Sequence, residues 1–273
     1  MNPKFKIVSK VVLARGKDIV KRTYAALKEI SPKIEKRKIL IKPNLVEPMP
    51  KDSGAVTRPE TVEGIIKFLY DHFEDCEIIV GEGSAIFETE RCFEEAGYYE
   101  ILSKYDVRIV NLNRDEFVKI KVNSKFFPEF EVSKLALESY LISVPALKEH
   151  AFEVTLSMKN MMGILKPGKS YPLKSYIHKE EDYKIWSERL CDLISKVKPN
   201  LAVIDATTAM FGSHLFGKIK KLDLTIASED CLAADIVGAE ILGHKNVYYL
   251  NLALKRKIGN IPTEIKEIEE NNF

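Results

Sequence analysis

Short apolar segments alternate with amphipathic helical patterns along almost the whole chain, and this alternation constrains the fold more than any single motif. Strands are predicted at residues 4–13, 38–42, 77–80, 107–112, 140–144, 201–204 and 222–227. Helices are predicted at 18–30, from the capping box of Thr57 and Glu60 onward, at 88–105, at 186–197 and at 230–243. Such alternation is typical of right-handed βαβ units. We therefore predict a single α/β domain over residues 1–273, with a mostly parallel sheet flanked by helices in Rossmann-like layers.

Several segments do not fit this alternation. Residues 113–137 are irregular and contain two short β-like pieces, so we expect a small irregular or β excursion there. Residues 46–56 carry Pro, Gly and Ser and predict an exposed or mobile loop, and residues 206–217 predict a second loop because they carry Gly and Ser. Residues 166–179 carry Pro, Gly and several Lys and predict a lid or loop over a site. The polar end at 260–273 predicts a frayed or peripheral tail.

The charge balance and the apolar content exclude two classes of partner. The chain of 273 residues has 42 Lys and Arg against 40 Asp and Glu, a formal net charge of +2, so no basic surface for nucleic acid is expected. No apolar segment approaches the roughly 20 residues that a membrane span requires. The first residues lack the apolar centre of a signal peptide. We therefore expect a cytoplasmic protein that binds neither nucleic acid nor membrane.

The cysteine spacing argues against an iron–sulfur cluster held by this chain. Cys76, Cys92, Cys191 and Cys231 are scattered, and no C-x-x-C pair occurs. Zinc ribbons and ferredoxin-type modules need closely spaced thiols. We therefore expect no cysteine-ligated cluster and no ferredoxin module. The pattern identifies no cofactor and leaves a divalent metal open.

Polar residues follow five predicted strands at the point where each strand ends. In a parallel sheet these carboxyl ends meet at one edge, where ligands bind. The groups delivered there are Lys42, Asn44, Glu82, Gly83, Ser84, Lys148, His150, Asp205 and Asp230. The GEGS turn at 81–84 lets the backbone approach a ligand and offers amides to an anion. It lacks the third glycine of a dinucleotide site.

The stretch from residue 140 to residue 165 places polar groups among apolar ones. It begins as a buried strand closed by Pro145, and then Lys148, His150, Lys159 and Asn160 lie between Ala, Phe, Val, Leu and Met residues. A lysine enclosed by apolar neighbours is costly unless an anion or a hydrogen-bond partner satisfies it. We therefore predict that these residues form the floor of an anion-binding site.

Each candidate also has a purely structural interpretation. Lys159 and Asn160 fit a helix cap or a buried amide network, and His150 fits a satisfied core histidine. Asp205 fits a turn cap after a strand. Asp230 fits a helix N-terminal charge that the dipole favours. These alternatives stay open at the level of sequence.

Five motifs, in order, resemble the domain of unknown function 362 family. They are KPNLVEP at 42–48, VGEGSA at 80–85, VPALKEHAFEVTLSMKNMMG at 144–163, PNLAVIDATTAM at 199–210 and ASEDCLAADIVGAEILG at 227–243. The most specific part combines Lys148-x-His150 with Lys159-Asn160-x-x-Gly163. The resemblance implies a fold and a site at these residues, but no established reaction.

The resemblance also bears on partners and on one loop residue. Several members of this family carry an added ferredoxin-type module, which this sequence lacks, so the resemblance implies a ferredoxin-like partner and a link to iron–sulfur redox metabolism. The family pattern tends to place a histidine in the lysine-rich loop, where this chain has His178. The alternative for His178 is a solvated loop histidine. The segment FGSHLF at 211–216 departs from the pattern, which tends to be richer in glycine there.

These observations together predict an enzyme that acts on a small anionic metabolite, a carboxylate or a phosphate. The predicted catalytic residues are His150, Lys148 and Asp205, and the predicted substrate-binding residues are Lys42, Asn44, Glu82, Gly83, Ser84, Lys159, Asn160, His178, Asp230 and Asp235. In this scheme lysines neutralise the anion and His150 donates or accepts a proton, while Asp205 with Glu82 orients it or holds a divalent cation. The alternative is a non-catalytic accessory protein that docks a ferredoxin-like partner or a cofactor under assembly.

Overall fold

Ten of the twelve strands in the described part of the chain join one large sheet. The computed structural model describes residues 9–86, 88–178 and 182–271. The strands are β1 (Lys10–Arg15), β2 (Lys38–Pro43), β3 (Glu77–Glu82), β4 (Arg108–Asn111), β5 (Phe117–Lys121), β6 (Glu129–Ser133), β7 (Tyr140–Val144), β8 (Ala146–His150), β9 (Glu153–Thr155), β10 (Leu201–Phe211), β11 (Lys218–Ser228) and β12 (Glu264–Glu269).

Helices connect most of these strands. They are α1 (Ile19–Ile30), α2 (Pro59–His72), α3 (Thr89–Glu95), α4 (Tyr98–Leu102), α5 (Lys134–Glu138), α6 (Ser157–Asn160), α7 (Tyr183–Lys196), α8 (Cys231–Ile241) and α9 (Tyr248–Lys255). The predicted helices at 18–30, 88–105, 186–197 and 230–243 correspond to α1, the α3–α4 pair, α7 and α8. Within the described residues, no helix has the length and apolar character needed to cross a bilayer.

The large sheet is mostly parallel, which confirms the predicted α/β class. Its strand order is β12-β1-β11-β10-β7-β2-β3-β4, with β8 paired to β10 and β9 paired to β8. Six of its pairings are parallel, and they join β1 to β12, β10 to β7 and β8, β2 to β7 and β3, and β3 to β4. Strand β11 runs antiparallel to β1 and β10, and β9 runs antiparallel to β8.

Alternate side chains of the central strands enter two different apolar cores. In β2, Ile39 and Ile41 pack with residues of α2, whereas Leu40 packs with residues of α7 and α8. Neighbouring residues of a strand point to opposite faces of its sheet. Helices therefore cover both faces, and this explains why the strand sequences are apolar runs instead of polar–apolar alternations.

The predicted excursion at 113–137 is a small second sheet. Strands β5 and β6 pair antiparallel, with Val118 opposite Val132. Their sequences alternate because one side of the hairpin is exposed: Lys119 and Lys121 face solvent, while Phe130 and Val132 are buried.

Two local predictions at the start of α2 are wrong. The helix begins at Pro59 with Arg58 as its N-cap, and no side-chain capping bond forms there. The Thr57 hydroxyl instead donates to the Val144 carbonyl oxygen at 2.5 Å, so a tertiary hydrogen bond replaces the predicted capping box. The preceding loop is also less exposed than expected, because Ala55 and Val56 are buried.

Two predictions in the second half also need correction. Residues 206–211 are the continuation of β10, and only 212–217 form the turn before β11. Residues 264–269 are not a loose tail but the edge strand β12, paired to β1 in register from Lys10 with Glu264. The predicted opening strand is described from Lys10 onward, and its residues 4–8 lie outside the described part of the chain.

Candidate functional site

A cavity of about 350 Å³ lies beyond the carboxyl ends of β2 and β3. Nine predicted site residues line it: Lys42, Asn44, Glu82, Gly83, Ser84, His150, Lys159, Asn160 and His178. The structure thus brings together side chains that are separated by more than a hundred positions in the sequence. The cavity lies at the sheet edge where ligands bind in α/β proteins, beyond the carboxyl ends of the strands.

The base of the cavity is a buried ion pair with an amide beside it. Lys42 Nζ lies 2.6 Å from Glu82 Oε1 and donates to Asn160 Oδ1 at 3.0 Å. Asn160 Nδ2 donates in turn to the Lys42 carbonyl oxygen and to Ser143 Oγ. Burial lowers the pKa of Lys42, and the Glu82 carboxylate opposes that shift. The Lys42 cation is therefore already matched by an anion of the protein.

Glu82 also organises the turn that follows β3. Its Oε2 accepts the Leu45 amide at 2.8 Å, and its Oε1 accepts the Gly83 amide at 2.7 Å. The Ser84 amide donates to Thr89 Oγ1 at 3.1 Å. The sequence predicted that the amides of this turn would be available to an anion. The Gly83 and Ser84 amides are not available, because each already donates to an oxygen atom of the protein.

Two glycines let the walls of the site approach each other closely. A Cβ atom on Gly83 would overlap the carbonyl oxygen of Gly163, and one on Gly163 would lie 2.5 Å from Glu82 Oε1 and Lys42 Nζ. A side chain at Gly83 would therefore collide with backbone, and one at Gly163 would displace the ends of Glu82 and Lys42. Gly83 thus serves close packing of backbone against backbone at the floor of the cavity.

Three further lysines differ from Lys42 in having no carboxylate within ion-pair distance among the described residues. Lys159 Nζ has Thr155 Oγ1 at 3.3 Å, Lys148 Nζ donates to the Ala55 carbonyl oxygen, and Lys174 Nζ donates to the Leu165 carbonyl oxygen. Burial lowers the pKa of each ammonium group to about 7. Lys159 and Lys174 line the cavity, whereas Lys148 is buried behind its wall.

Three histidines form the opposite wall. The rings of His150 and His214 lie 4.4 Å apart between centroids, and His178 stacks at 5.7 Å on Phe152. Burial, together with the charge of Lys159, lowers the pKa of His150, and burial lowers those of His178 and His214 to about 4. All three imidazoles are therefore neutral at pH 7.

The hydrogen bonding of His150 assigns its tautomer. Nδ1 of His150 accepts the Phe152 amide at 2.9 Å. A neutral imidazole that accepts at one nitrogen carries its hydrogen on the other. Nε2 of His150 is therefore the donor nitrogen, suited to a hydrogen bond with an oxygen atom of a ligand.

The three predicted aspartates lie outside the cavity lining. Asp205 accepts from the Arg58 and Thr207 amides, so it stabilises a turn beside β10. Asp230 caps α8 by accepting from the Leu232 amide. Asp205 and Asp230 therefore make the contacts of a turn cap and of a helix N-cap, as their purely structural interpretations predicted.

Asp235 supports the site from behind. Its Oδ1 accepts the Ser157 amide and its Oδ2 accepts the Met158 amide, both at 2.8 Å. These are the first residues of α6, the short helix that carries Lys159 and Asn160. Asp235 therefore fixes the backbone from which two cavity residues project, without lining the cavity itself.

Replacing Asp235 by Asn is expected to lower the free energy of unfolding by about 1–3 kcal/mol, because the amide NH₂ would face one of the two backbone donors and leave it unpaired. Urea unfolding of the wild type and the variant measures this difference. The matched control is Asp18→Asn at the exposed N-cap of α1, where Asn caps as well as Asp. Equal unfolding free energies for all three proteins would remove the supporting role of Asp235.

Sequence reasoning missed two titratable residues of the lining, His214 and Lys174. His214 lies in the turn between β10 and β11, and only the length of these strands brings it opposite His150. Lys174 lies within the segment predicted as a lid, so the excess of lysines there was a usable signal. Within the described residues, no group of three or more His, Cys, Asp or Glu side chains has an arrangement that could hold a metal ion.

Comparisons with known proteins give one protein of similar sequence and one of similar fold. It is 27% identical over 231 residues to a thylakoid-associated protein of Synechocystis sp., covering 83% of this chain and 69% of that protein. Its fold is similar, with a TM-score of 0.51 and 14% identity, to the lactate racemase apoprotein from Thermoanaerobacterium thermosaccharolyticum. That alignment covers 84% of this chain and 56% of the racemase chain, so this chain spans little more than half of the racemase.

A family match covers most of the chain and includes every residue that lines the cavity. The family described as Domain of unknown function (DUF362) matches residues 39–240. This range contains all of β2 except Lys38, the turn after β3, the segment from β8 to α6 and the β10–β11 turn with His214. By this match over more than half of its length, the chain belongs to the DUF362 family.

Proposed function

We propose that this protein is an enzyme that binds a small anionic metabolite, a carboxylate or a phosphate compound, in the cavity beyond β2 and β3. One observation carries the proposal: Lys159 and Lys174 line the cavity, and neither has a carboxylate within ion-pair distance among the described residues. An enclosed ammonium group without a counter-ion is unfavourable. An anionic ligand would supply the missing charge.

The size and the polar lining support a small ligand. A volume of about 350 Å³ lies at the lower end of the range for small-molecule sites. Asn44 Oδ1 is buried and has no hydrogen-bond partner among the described residues. Buried polar atoms are almost always paired, so this amide calls for a ligand or water donor. The racemase of similar fold acts, by its title, on lactate, which belongs to the ligand class proposed here.

The histidines supply the chemistry that makes an enzyme the favoured choice. His150 offers an Nε2 hydrogen that can polarise a carbonyl or carboxylate oxygen, as neutral imidazoles do in enzymes that form enolates. The Lys159 amine, with a pKa of about 7, can take up or release a proton near neutral pH. Proton transfer at a carbon near a carboxylate needs a base that takes the proton and a donor that stabilises the charge developing on oxygen. Lys159 and His150 supply these two groups.

The proposal is tested with anions and with exchange of hydrogen. Sulfate, phosphate and pyruvate should raise the melting temperature, whereas chloride at equal ionic strength should not. A panel of 2-oxo and 2-hydroxy acids is then incubated with the protein in deuterium oxide, and nuclear magnetic resonance follows deuterium entering C2 of the 2-hydroxy acids and C3 of the 2-oxo acids, whose C2 carries no hydrogen. No stabilisation by any anion would refute the site, and stabilisation without exchange or turnover would refute the catalytic role.

Sulfate affinity is expected to fall about tenfold between pH 6 and pH 8 for each lysine whose proton the anion requires. The pKa values of Lys159 and Lys174 are lowered to about 7, so both groups are protonated below that pH and lose their charge above it. Sulfate keeps its charge over this range, so the change reports on the protein alone. Isothermal titration at pH 6, 7 and 8 measures it, and an affinity independent of pH would contradict the role of these lysines.

A further inference from the structure

Lys159 differs from the other lysines of the site in how loosely its amine is held. It is partly exposed at the cavity wall, and its hydrogen bond to Thr155 Oγ1 is long at 3.3 Å. Lys42 is held by Glu82 at 2.6 Å, and Lys148 and Lys174 are buried against backbone carbonyl oxygens. Of these four lysines, Lys159 alone combines access to the cavity with an amine that can move toward a ligand.

The environment of Lys159 also favours the neutral amine, which is the reactive form. Burial lowers its pKa to about 7, so roughly half of the amine is unprotonated at pH 7. Enzymes that use lysine as a nucleophile activate it by desolvation or by a neighbouring cation. Burial supplies the desolvation for Lys159.

We propose that Lys159 forms a Schiff base with a 2-oxo acid bound in the cavity. The inference rests on the proposed function, because the 2-oxo acid is the anionic metabolite of that site, and it names the carbonyl group as the feature that the site recognises. A ligand with only a carboxylate would need only the positive charges of the lysines. In a 2-oxo acid the carbonyl carbon next to the carboxylate is an electrophile that the Lys159 amine can attack.

The step is a condensation without oxidation or reduction. The lone pair of Lys159 Nζ attacks the carbonyl carbon, and a C–N bond forms while the C=O π pair moves to oxygen. The two hydrogens of the amine leave with that oxygen as water, and an imine C=N bond remains. His150 Nε2 donates a hydrogen bond to the oxygen during the attack, and Lys174 pairs with the carboxylate.

Reductive trapping of the full chain with pyruvate tests the inference. Sodium cyanoborohydride adds hydride to an imine carbon and makes the bond permanent, and peptide mass spectrometry then locates a mass increase equal to pyruvic acid less one oxygen atom. At pH 7 we expect Lys159 to be trapped at least about tenfold faster than an exposed lysine. The reference in the same digest is Lys119 on β5, which is exposed and whose pKa is raised by its hydrogen bond with Glu129.

Two controls separate the site from general lysine chemistry. Excess sulfate should protect Lys159 and leave Lys119 unaffected, because sulfate competes only in the cavity. Lys159→Arg keeps the positive charge but cannot form an imine, so it should still be stabilised by sulfate and should show no adduct in the cavity.

The outcomes distinguish this inference from the function on which it rests. Trapping of Lys159 at the rate of Lys119, or trapping that sulfate does not reduce, would overturn the Schiff base. If sulfate still stabilises the protein in that case, the anion site stands and only the imine is refuted. If sulfate neither stabilises the protein nor protects Lys159, both proposals are refuted.

Discussion

Lys159→Met is expected to abolish the stabilisation of the protein by sulfate. A ligand at a hundredfold excess over its dissociation constant stabilises a folded protein by about 2.7 kcal/mol, and this contribution should fall close to zero in the variant. The reason is that Met fills similar space at the cavity wall but carries no charge. Thermal unfolding with and without sulfate at pH 6 measures the loss.

The same variant should be more stable than the wild type when no anion is present. The lowered pKa of Lys159 means that folding disfavours its charged form. That cost is fully present below pH 7, declines as pH rises from there, and vanishes above the unfolded pKa of about 10.4. We expect a gain on the order of 2 kcal/mol at pH 6 after allowing for the partial exposure of the side chain.

Lys119→Met is the matched control for both measurements. Lys119 is an exposed lysine that pairs with Glu129 on the hairpin of β5 and β6, away from the cavity. Its replacement should change neither the sulfate effect nor the unfolding free energy by more than about 1 kcal/mol. A Lys159→Met protein that sulfate stabilises as well as it stabilises the wild type would show that the site is misassigned.

Glu82→Gln is expected to cost about 3–5 kcal/mol of unfolding free energy, the largest loss predicted for a single change in this protein. The variant keeps the shape of the side chain but leaves the buried Lys42 ammonium without its anion. The Leu45 and Gly83 amides also lose a charged acceptor. Urea denaturation measures the cost.

The cost should be specific to the buried pair. Glu129→Gln breaks the exposed pair with Lys119 and should cost no more than about 1 kcal/mol. The double variant Lys42→Met with Glu82→Gln should recover part of the loss, since it removes the unmatched charge. A similar small cost for both single carboxylate changes would mean that the Lys42–Glu82 pair does not hold the cavity floor together.

The strand order of the sheet could not be predicted, but the edge at which the cavity lies could. Residues 39–41 and 78–80 are apolar throughout because both faces of the sheet are covered, so the strand ends were readable from the sequence. In a parallel sheet those ends share one edge, which places Lys42 and Glu82 at that edge, and the pairing of β2 with β3 brings them together. Lys159 could be predicted as a site residue because it is a charged residue in an apolar stretch of the sequence.

What the sequence could not predict depends on contacts between distant segments. The sequence around an Asp looks the same whether its carboxylate faces a ligand or a backbone amide. The position of Arg58 decides the matter for Asp205 on β10, and the position of α6 decides it for Asp235 within α8. The role of His214 depends on how far two long antiparallel strands extend, which local patterns do not specify. Residues 264–269 are too polar to predict a strand without knowing that β1 needs a partner.

Strand β12 pairs with β1 and forms one edge of the large sheet. An outer strand exposes unpaired backbone groups that can recruit another chain, and charged side chains discourage such recruitment. β12 carries Glu264, Lys266, Glu267 and Glu269 at exposed positions, with only Ile268 buried. The same charged residues that make this strand hard to predict from sequence thus disfavour edge-to-edge aggregation.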